Sequence, residues 1–275
     1  MTDMLMQKYE KLINMLKEFG SVAVAFSSGV DSTFLAYAAK EALGDKMIAV
    51  TAVSGMFPNR EKEEAEEFCH NHKIVQKLVN IDETTIDGFV NNPPDRCYIC
   101  KKAIFTNMIR VAKENDIHVI VEGSNLDDNN DYRPGHRAIK ELKIESPLRA
   151  LEFTKADIRE LSKKFGLPTW DKPSFACLAS RIPYGEEISR KKLNMVEQGE
   201  QLLSDMGFEQ FRVRMHGDNV ARIELLSKDI VRVVNDDMRL KICNKFKEYG
   251  FAYVAIDLLG YRTGSMNEVI EKNYN

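Results

Sequence analysis

At 275 residues the chain can bury one large domain, or a medium and a small one. Charged residues make up 29% and hydrophobic residues 44%, an ordinary globular balance, and the net charge of −3 excludes a global basic field that would draw the chain to nucleic acid. No stretch reaches membrane-spanning length, the acidic, amphipathic N-terminus lacks the apolar core of a signal peptide, and the five cysteines read as ligands, nucleophiles or packing in a cytoplasmic protein.

Met1 to Glu18 places Leu5, Tyr9, Leu12, Ile13 and Leu16 at helical spacing. Val22 to Phe26 reads as a buried strand, and Thr33 to Lys40 as a helix. Between them lies Ser27-Ser28-Gly29-Val30-Asp31-Ser32. A strand, a turn of hydroxyls and glycine, then a helix start is the layout of a phosphate cradle. Amide N–H groups and the positive end of the helix dipole suit an anion there. Gly29 permits close backbone approach, and Ser27, Ser28 and Ser32 add hydroxyls. The Walker loop pattern is absent. Spacing alone equally allows an ordinary helix start capped by Asp31 or Ser32.

Lys46 to Ser54 and Ile74 to Ile81 read as further strands, with a helix from Asn59 to His72 between them and Asn59 as its cap. Alternating strands and helices predict an α/β fold with a doubly wound, mainly parallel sheet. Such sheets bind ligands at the carboxyl ends of strands, where both the Ser27–Ser32 turn and Ser54-Gly55 fall. Cys69-His70-Asn71-His72 reads as a helix end with a small buried cysteine, because His70 and His72 point apart on a helix.

Two prolines, Pro93 and Pro94, enforce an extended entry to a helix that carries Cys97 and Cys100 in its first turn. That spacing puts both sulfurs on one side, able to share a metal or cluster, and the helix start with Lys101 favours thiolates. A redox dithiol, half a zinc site and accident are the alternatives; no second pair exists to complete a zinc site, so a three-cysteine site is the one to test. Ile117 to Gly123 is the fourth strand. It leads into Gly123-Ser124-Asn125-Leu126-Asp127-Asp128, either a plain Asn/Asp loop or a metal- and nucleotide-facing one in which Asp127 and Asp128 could hold Mg2+. Asp131 to Arg137 reads as an irregular polar loop. Thr154 caps a helix that Gly166 stops, with Asp157 as its capping-box partner.

Leu167 to Gly185, with three prolines, the single tryptophan and Cys177, is too broken for a helix and reads as a boundary. Cys177 is either buried packing or, on a junction loop near Arg181, a nucleophile. The expected organisation is a pyrophosphatase-type domain over 1–172, a connecting loop over 173–188 and a small α/β domain over 189–275. In that last part Ser189 caps a long helix and Gly217-Asp218 turns a hairpin of Glu209 to His216 with Val220 to Leu225. A helix runs from Asp236 to Tyr249, with Cys243 in the core beside Leu240 and Phe246, and Phe251 to Leu258 is a final strand. Arg212 and Arg214 share one strand face, either a solvated one or a phosphate site.

Ser27-Ser28-Gly29-Val30-Asp31-Ser32 resembles the SGGxDS loop of the PP-loop (adenine nucleotide α-hydrolase) superfamily, with Ser28 where glycine is usual; Gly123-Ser124-Asn125-Leu126-Asp127-Asp128 resembles the GxNxDD loop of several such enzymes. Pro173-Ser174-Phe175-Ala176-Cys177-Leu178-Ala179-Ser180-Arg181 is similar to the active-site segment of the ATP-dependent sacrificial sulfur transferases, the LarE family. Arg212-Val213-Arg214-Met215-His216-Gly217-Asp218 and Gly260-Tyr261-Arg262-Thr263-Gly264-Ser265-Met266-Asn267 are similar to that family's C-terminal motifs.

The resemblance implies an enzyme of nickel-pincer cofactor synthesis. ATP adenylates a carboxylate of pyridinium-3,5-dicarboxylic acid mononucleotide, releasing pyrophosphate, and sulfur then displaces AMP. It implies ATP on Ser27, Ser28, Gly29, Asp31, Ser32, Ser54, Gly123, Asn125 and Asp128, with Mg2+ at Asp127. It implies the substrate phosphate on Arg212, Arg214, Ser180 and Arg181. Single-cysteine relatives surrender the sulfur of the cysteine at position 177 and keep dehydroalanine. Cys97, Cys100 and Cys177 together match the three-cysteine subgroup, which implies a 4Fe-4S cluster with one iron left for an exogenous sulfide. The implied partners are the small pyridinium mononucleotide and a second copy of the chain in a homo-oligomer, a dimer of trimers in the family, with no nucleic acid and no membrane. A tRNA thiolase, an amide-forming PP-loop ligase and a non-catalytic iron–sulfur or nucleotide-binding regulator are the rival readings.

Overall fold

The computed structural model describes residues 3–130, 134–173, 176–262 and 264–266. The chain divides into two compact units, Met1–Asp82 with Asp95–Phe175, and Glu83–Pro94 with Ala176–Asn275.

The first unit is a four-stranded, all-parallel sheet flanked by helices. Its strands are β1 (Val22–Ala25), β2 (Met47–Val53), β3 (Val75–Asn80) and β4 (Val119–Val121), in the order β3-β2-β1-β4. The sheet order reverses direction at β1, with β2 on one side and β4 on the other. A crevice at the carboxyl ends of strands on either side of such a switch is where open α/β sheets take ligands. The helices are α1 (Asp3–Glu18), α2 (Val30–Leu43), α3 (Asn59–Asn71), α4 (Arg96–Lys113), α5 (Gly135–Glu141), α6 (Pro147–Ala150) and α7 (Lys155–Lys164). Leu5, Tyr9, Leu12 and Leu16 of α1, Phe34 and Leu35 of α2, Phe68 of α3, and Ile158 and Leu161 of α7 join one core with Val22 and Val24. Burial on both sheet faces is why β1 and β2 are continuous apolar runs. Cys69 is buried in this core, and burial pushes its thiol up to about 12, which makes it inert packing.

Three local expectations meet the structure here, two of them corrected. Asn59 does not cap α3: Pro58 holds the cap position without a side-chain bond, because its fixed φ of −58 already sets the helix entry. Gly135, His136 and Arg137 lie in α5 rather than in a loop, while residues 131–133 lie outside the described residues. The Thr154–Asp157 capping box of α7 is present in both directions, and Gly166 ends it at φ +68.

The second unit holds α8 (Arg190–Asp205), β5 (Phe211–His216), β6 (Val220–Leu225), α9 (Ser227–Val233), α10 (Asp236–Glu248) and β7 (Tyr253–Ile256). β5 and β6 form the expected antiparallel hairpin, with Gly217 at φ +58 in its turn, and β7 adds parallel to β6. Ser189 caps α8 by accepting from the Lys192 amide. Cys243 is half-buried rather than core, and Leu240 is exposed; Ile242 and Phe246 form the buried face of α10 instead. No described helix is long and apolar enough to cross a membrane.

Candidate active site

The Ser27–Ser32 turn leaves β1 and enters α2. Gly29, extended at φ −78 and ψ 163, is the N-cap residue, and no side chain caps the helix. Neither Asp31 nor Ser32 therefore plays the capping part that spacing allowed. The hydroxyls close the turn on itself: Ser32 Oγ donates to the Gly29 carbonyl at 3.2 Å, lies 3.1 Å from Ser27 Oγ and accepts from the Ser27 amide at 3.3 Å. The first amides of a helix have no acceptor within it, so the uncapped start of α2 offers N–H groups to an anion.

Ser28 sits at φ +52, in the left-handed region that favours glycine, which is the residue the family pattern has there. Serine is held by its side chain: it is 1% exposed, and its Oγ donates to the Glu61 carbonyl at 3.0 Å. A β-carbon on Gly29 would make ordinary van der Waals contact with Ser27 Oγ at 3.5 Å and Ser32 Oγ at 4.0 Å, so the two hydroxyls border that residue. Gly123 is different. A β-carbon there would come within 3.0 Å of the Ser32 amide nitrogen, so glycine lets the loop after β4 lie against the start of α2.

That close approach gathers the acidic loop around Asp31. Asn125 Nδ2 donates to Asp31 Oδ1 at 3.2 Å, and Lys155 Nζ donates to Asp31 Oδ2 at 2.5 Å. Asn125 Oδ1 accepts from the Asp127 amide at 3.0 Å, and Asp128 Oδ2 accepts from the Asn125 amide at 3.0 Å. Asp127 Oδ2 accepts from the Lys155 amide at 2.7 Å, which fixes the first residue of α7 beside the loop. Ser54 follows β2; its Oγ accepts from the Met56 amide at 3.3 Å and its carbonyl from the Phe57 amide at 3.1 Å, closing the turn there.

Two lysines at this site escape a reading of the sequence. Lys155 carries a signal, because the first residue of a capped helix that follows a loop can reach a neighbouring strand end. Lys172 carries none, since it lies in the proline-broken segment. Its Nζ donates to the Ser28 carbonyl at 3.1 Å and pairs with Glu64.

Cys97 and Cys100 occupy the first turn of α4. Cys100 is buried with its sulfur 3.7 Å from Met56 Sδ, and Cys97 is half-buried. α5 buttresses this turn. Arg137 stacks 3.5 Å from the Tyr98 ring centroid, Tyr98 donates to Glu141 at 2.8 Å, and a β-carbon on Gly135 would strike Lys101 at 2.7 Å. Among the described residues no group of three His, Cys, Asp or Glu side chains is gathered as a metal site.

Cys177 belongs to the second unit, half-buried at the entry to a short 3-10 turn, Leu178–Arg181. Ser174 and Phe175 of its motif, and Thr263 and Asn267 of the last motif, lie outside the described residues. Arg181 organises the segment. Its Nη1 donates to the Ala176 carbonyl at 2.7 Å, the Cys177 carbonyl at 3.2 Å and Ser180 Oγ at 2.8 Å. Its Nε and Nη2 grip both oxygens of Glu200 at 2.7 and 2.9 Å. Arg181 is 0% exposed. In this structure its donors hold the cysteine segment to α8.

Arg212 and Arg214 do share a face of β5, and the face is buried rather than solvated, at 4% and 5% exposure. Arg214 donates to Glu224 Oε2 at 2.8 Å, Ser265 Oγ at 3.1 Å and the Ser180 carbonyl at 3.1 Å, while its buried Nε has no acceptor among the described residues. Arg212 lies over the Tyr261 ring at 5.0 Å and donates to the Phe211 carbonyl at 2.6 Å. Burial, and then the neighbouring Arg181, lower the Arg212 guanidinium to about 10, although Glu200 works the other way. It stays protonated at neutral pH, beside the Arg181 and Arg214 guanidinium groups and the Glu200 carboxylate. Glu200 has a legible signal: it falls on the apolar stripe of α8 with Leu193, Val196 and Leu203, where a carboxylate demands a cation.

Residues 4–92 match the family model described as NAD synthase. The chain is 39% identical to an uncharacterised protein of Synechocystis over 98% of its own length and 100% of the relative's. It is 34% identical to pyridinium-3,5-bisthiocarboxylic acid mononucleotide synthase of Lactiplantibacillus plantarum, covering 96% of this chain and 95% of that protein. It is 27% identical to the glutamine-hydrolysing GMP synthase of Aeropyrum pernix, over 69% of this chain and 40% of the relative.

Proposed function

The chain belongs to the LarE family of PP-loop proteins, and from that premise we propose that it is an ATP-dependent sulfur transferase that converts a carboxylate of pyridinium-3,5-dicarboxylic acid mononucleotide to a thiocarboxylate. A bare carboxylate has no viable leaving group. In the first step its oxygen forms a bond to the α-phosphorus of ATP while the bond from that phosphorus to the bridging oxygen breaks, and pyrophosphate leaves. In the second, sulfur forms a bond to the carbonyl carbon and the bond to AMP breaks. The open amides of α2 with Ser27, Ser28, Gly29 and Ser32 receive the pyrophosphate. Asp31 belongs to the same ATP site, Asp127 would hold its Mg2+, and Ser54, Gly123, Asn125 and Asp128 complete the nucleotide site. Arg212, Arg214, Ser180 and Arg181 take the phosphate of the mononucleotide.

Cys97, Cys100 and Cys177 are the ligands in this reading, three thiolates for a 4Fe-4S cluster, which when bound supplies the sulfur as sulfide. Cys177 then survives turnover.

The observation that carries the reading is Arg181, which ties the Cys177 carbonyl to buried Glu200 in the unit that holds Arg212 and Arg214. A sulfur residue and a cluster of cations thus share one framework. Anaerobic iron and acid-labile sulfide analysis, with AMP release on the pyridinium substrate, is the test. Wild type should contain both in matching amounts, and Cys97→Ala should lose them. A wild type without iron whose Cys177 becomes dehydroalanine on turnover would replace the cluster with the sacrificial route, and no AMP release would end the transferase reading.

A further inference from the structure

We propose that Lys172 is the leaving-group cation of the adenylation step, exchanging Glu64 for the pyrophosphate on the Ser27–Ser32 turn, and that Arg159 positions it. Lys172 lies in a stretch without regular structure, yet its main chain is fixed. Arg159 Nη2 donates to the Lys172 carbonyl at 2.8 Å, and Nη1 donates to the Trp170 carbonyl at 2.7 Å. The Lys172 amide adds a bond to the Thr169 carbonyl at 3.1 Å, and Lys163 lies 4.5 Å over the Trp170 ring.

From that anchored backbone the side chain reaches the cradle. Its Nζ is 3.1 Å from the Ser28 carbonyl and 3.4 Å from Ser28 Oγ, so its charge lies on the turn itself, one residue before the Gly29 cap of α2. The lysine stem is largely buried, at 16% exposure, whereas its ionic partner Glu64 is 46% exposed. A buried stem with a fixed backbone and a solvated partner describes a cation that is held in place and weakly occupied. An ion pair with so exposed a carboxylate is weak and screened by salt, so a polyanion seated beside it competes on favourable terms.

The chemistry asks for such a group. When the carboxylate oxygen bonds to the α-phosphorus, the electron pair of the breaking bond goes to the oxygen that leaves on the β-phosphate. No proton moves and no redox change occurs, so catalysis at that oxygen is charge stabilisation by cations and oriented N–H groups. Lys155 is turned to the Asp31 carboxylate. Lys172 is the lysine that touches the main chain of the turn.

The inference rests on the adenylation reading, and calorimetric titration of the full-length chain separates the two. Inorganic pyrophosphate and ATP, each with Mg2+, are titrated into wild type, Lys172→Gln, Lys172→Arg, Arg159→Lys and Glu64→Gln, with AMP as the control. Lys172→Gln should weaken pyrophosphate about 10–100-fold, the range of one charge-assisted contact, and leave AMP within about twofold. Lys172→Arg should restore most of the loss, and Arg159→Lys should weaken pyrophosphate about fivefold through misplacement of the lysine. Glu64→Gln, which removes the competitor, should tighten pyrophosphate about threefold. Equal pyrophosphate binding by wild type and Lys172→Gln overturns the proposal, as does a parallel loss of AMP. If Lys172→Gln does not fold, Glu64→Gln decides, and unchanged pyrophosphate affinity overturns the proposal. A wild type that binds neither ATP nor pyrophosphate removes the adenylation reading itself.

Discussion

The lysines of the first unit and the arginines of the second are cations beside carboxylates at the sites of the proposed reaction, under different conditions. Lys155 and Lys172 have side chains 34% and 16% exposed and pair with Asp31 and Glu64, which are themselves partly solvated. Arg181, Arg212 and Arg214 are buried, and among the described residues the buried carboxylates beside them are Glu200 and Glu224, three cations to two anions. Solvated pairs cost little to break and can be exchanged for a ligand. Buried pairs are costly to break, so their cations stay where they are, and the surplus positive charge is what a ligand meets. The first unit releases a product, pyrophosphate, at each turnover of the proposed reaction. The second only has to hold a substrate phosphate still while its carboxylate is modified. Exchangeable cations suit the former and a fixed, cation-rich cluster the latter.

Removing the carboxylate at the centre of the buried cluster is the most direct way to break that contrast. Glu200→Ala leaves Arg181 and Arg212 without their shared anion and should cost about 3–5 kcal/mol in urea unfolding, the usual loss when one member of a buried pair is deleted. The same residue gives a pH signature. Burial would raise the Glu200 carboxyl, but Arg181, Arg212 and the Val213 amide outweigh it and hold it below the ordinary range. A depressed folded-state pKa means stability that is present above the unfolded value, near ~4.3 for Glu, and lost as pH falls through the folded one. The wild type should therefore lose stability below about pH 5, and Glu200→Gln should flatten that acid limb. A Glu200→Ala protein as stable as wild type would make the cluster solvated after all.

Arg212 tests the substrate side of the contrast. Arg212→Lys keeps a charge but gives up the planar fork that pairs two phosphate oxygens. It should raise KM for the pyridinium mononucleotide about 10–100-fold, one charge-assisted pair of bonds, with KM for ATP unchanged. An equal rise in both constants would show that the substitution disturbs the fold rather than the phosphate contact.

Much of the framework is legible in the sequence because local rules and burial agree. The apolar runs at Val22 and Met47 form adjacent parallel strands, the Thr154–Asp157 spacing forms a two-way capping box, and Gly217 turns the hairpin. What alternation cannot say is which face of a strand is covered. Period alone places Arg212 and Arg214 on one face, and tertiary neighbours make that face an interior: Glu200 of α8, Glu224 of β6, Tyr261 and Ser265. Lys172 is hidden for another reason. A broken segment has no period, so its reach depends on a tertiary bond, Arg159 to the Lys172 carbonyl. The allocation of residues 83–94 to the second unit has the same character: the Gly185 amide bonds the Asn92 carbonyl at 2.9 Å and the Ile188 amide bonds the Val90 carbonyl at 2.9 Å, pairings that no local pattern announces.

The smallest expected effect bears on how the exchangeable site keeps its shape. Ser28 stands in the left-handed region and is anchored by its Oγ to the Glu61 carbonyl. Ser28→Ala keeps the unfavourable backbone and loses the anchor, and should cost about 1 kcal/mol, the net worth of one buried hydrogen bond. Ser28→Gly loses the same bond but removes a conformational penalty of about 1 kcal/mol, so it should lie within about 0.5 kcal/mol of wild type. Glycine would then stabilise relative to alanine, the reverse of its usual rank in regular structure. Paired urea unfolding of the two variants measures the difference directly. If alanine and glycine prove equal, the turn is not strained at Ser28, and serine is there for its hydroxyl alone. If glycine is better by the expected margin, the anchor and the strain offset each other. The backbone of the turn then keeps its shape through a neutral hydrogen bond, so exchanging the partner of Lys172 for a ligand, as proposed, would leave the turn in place.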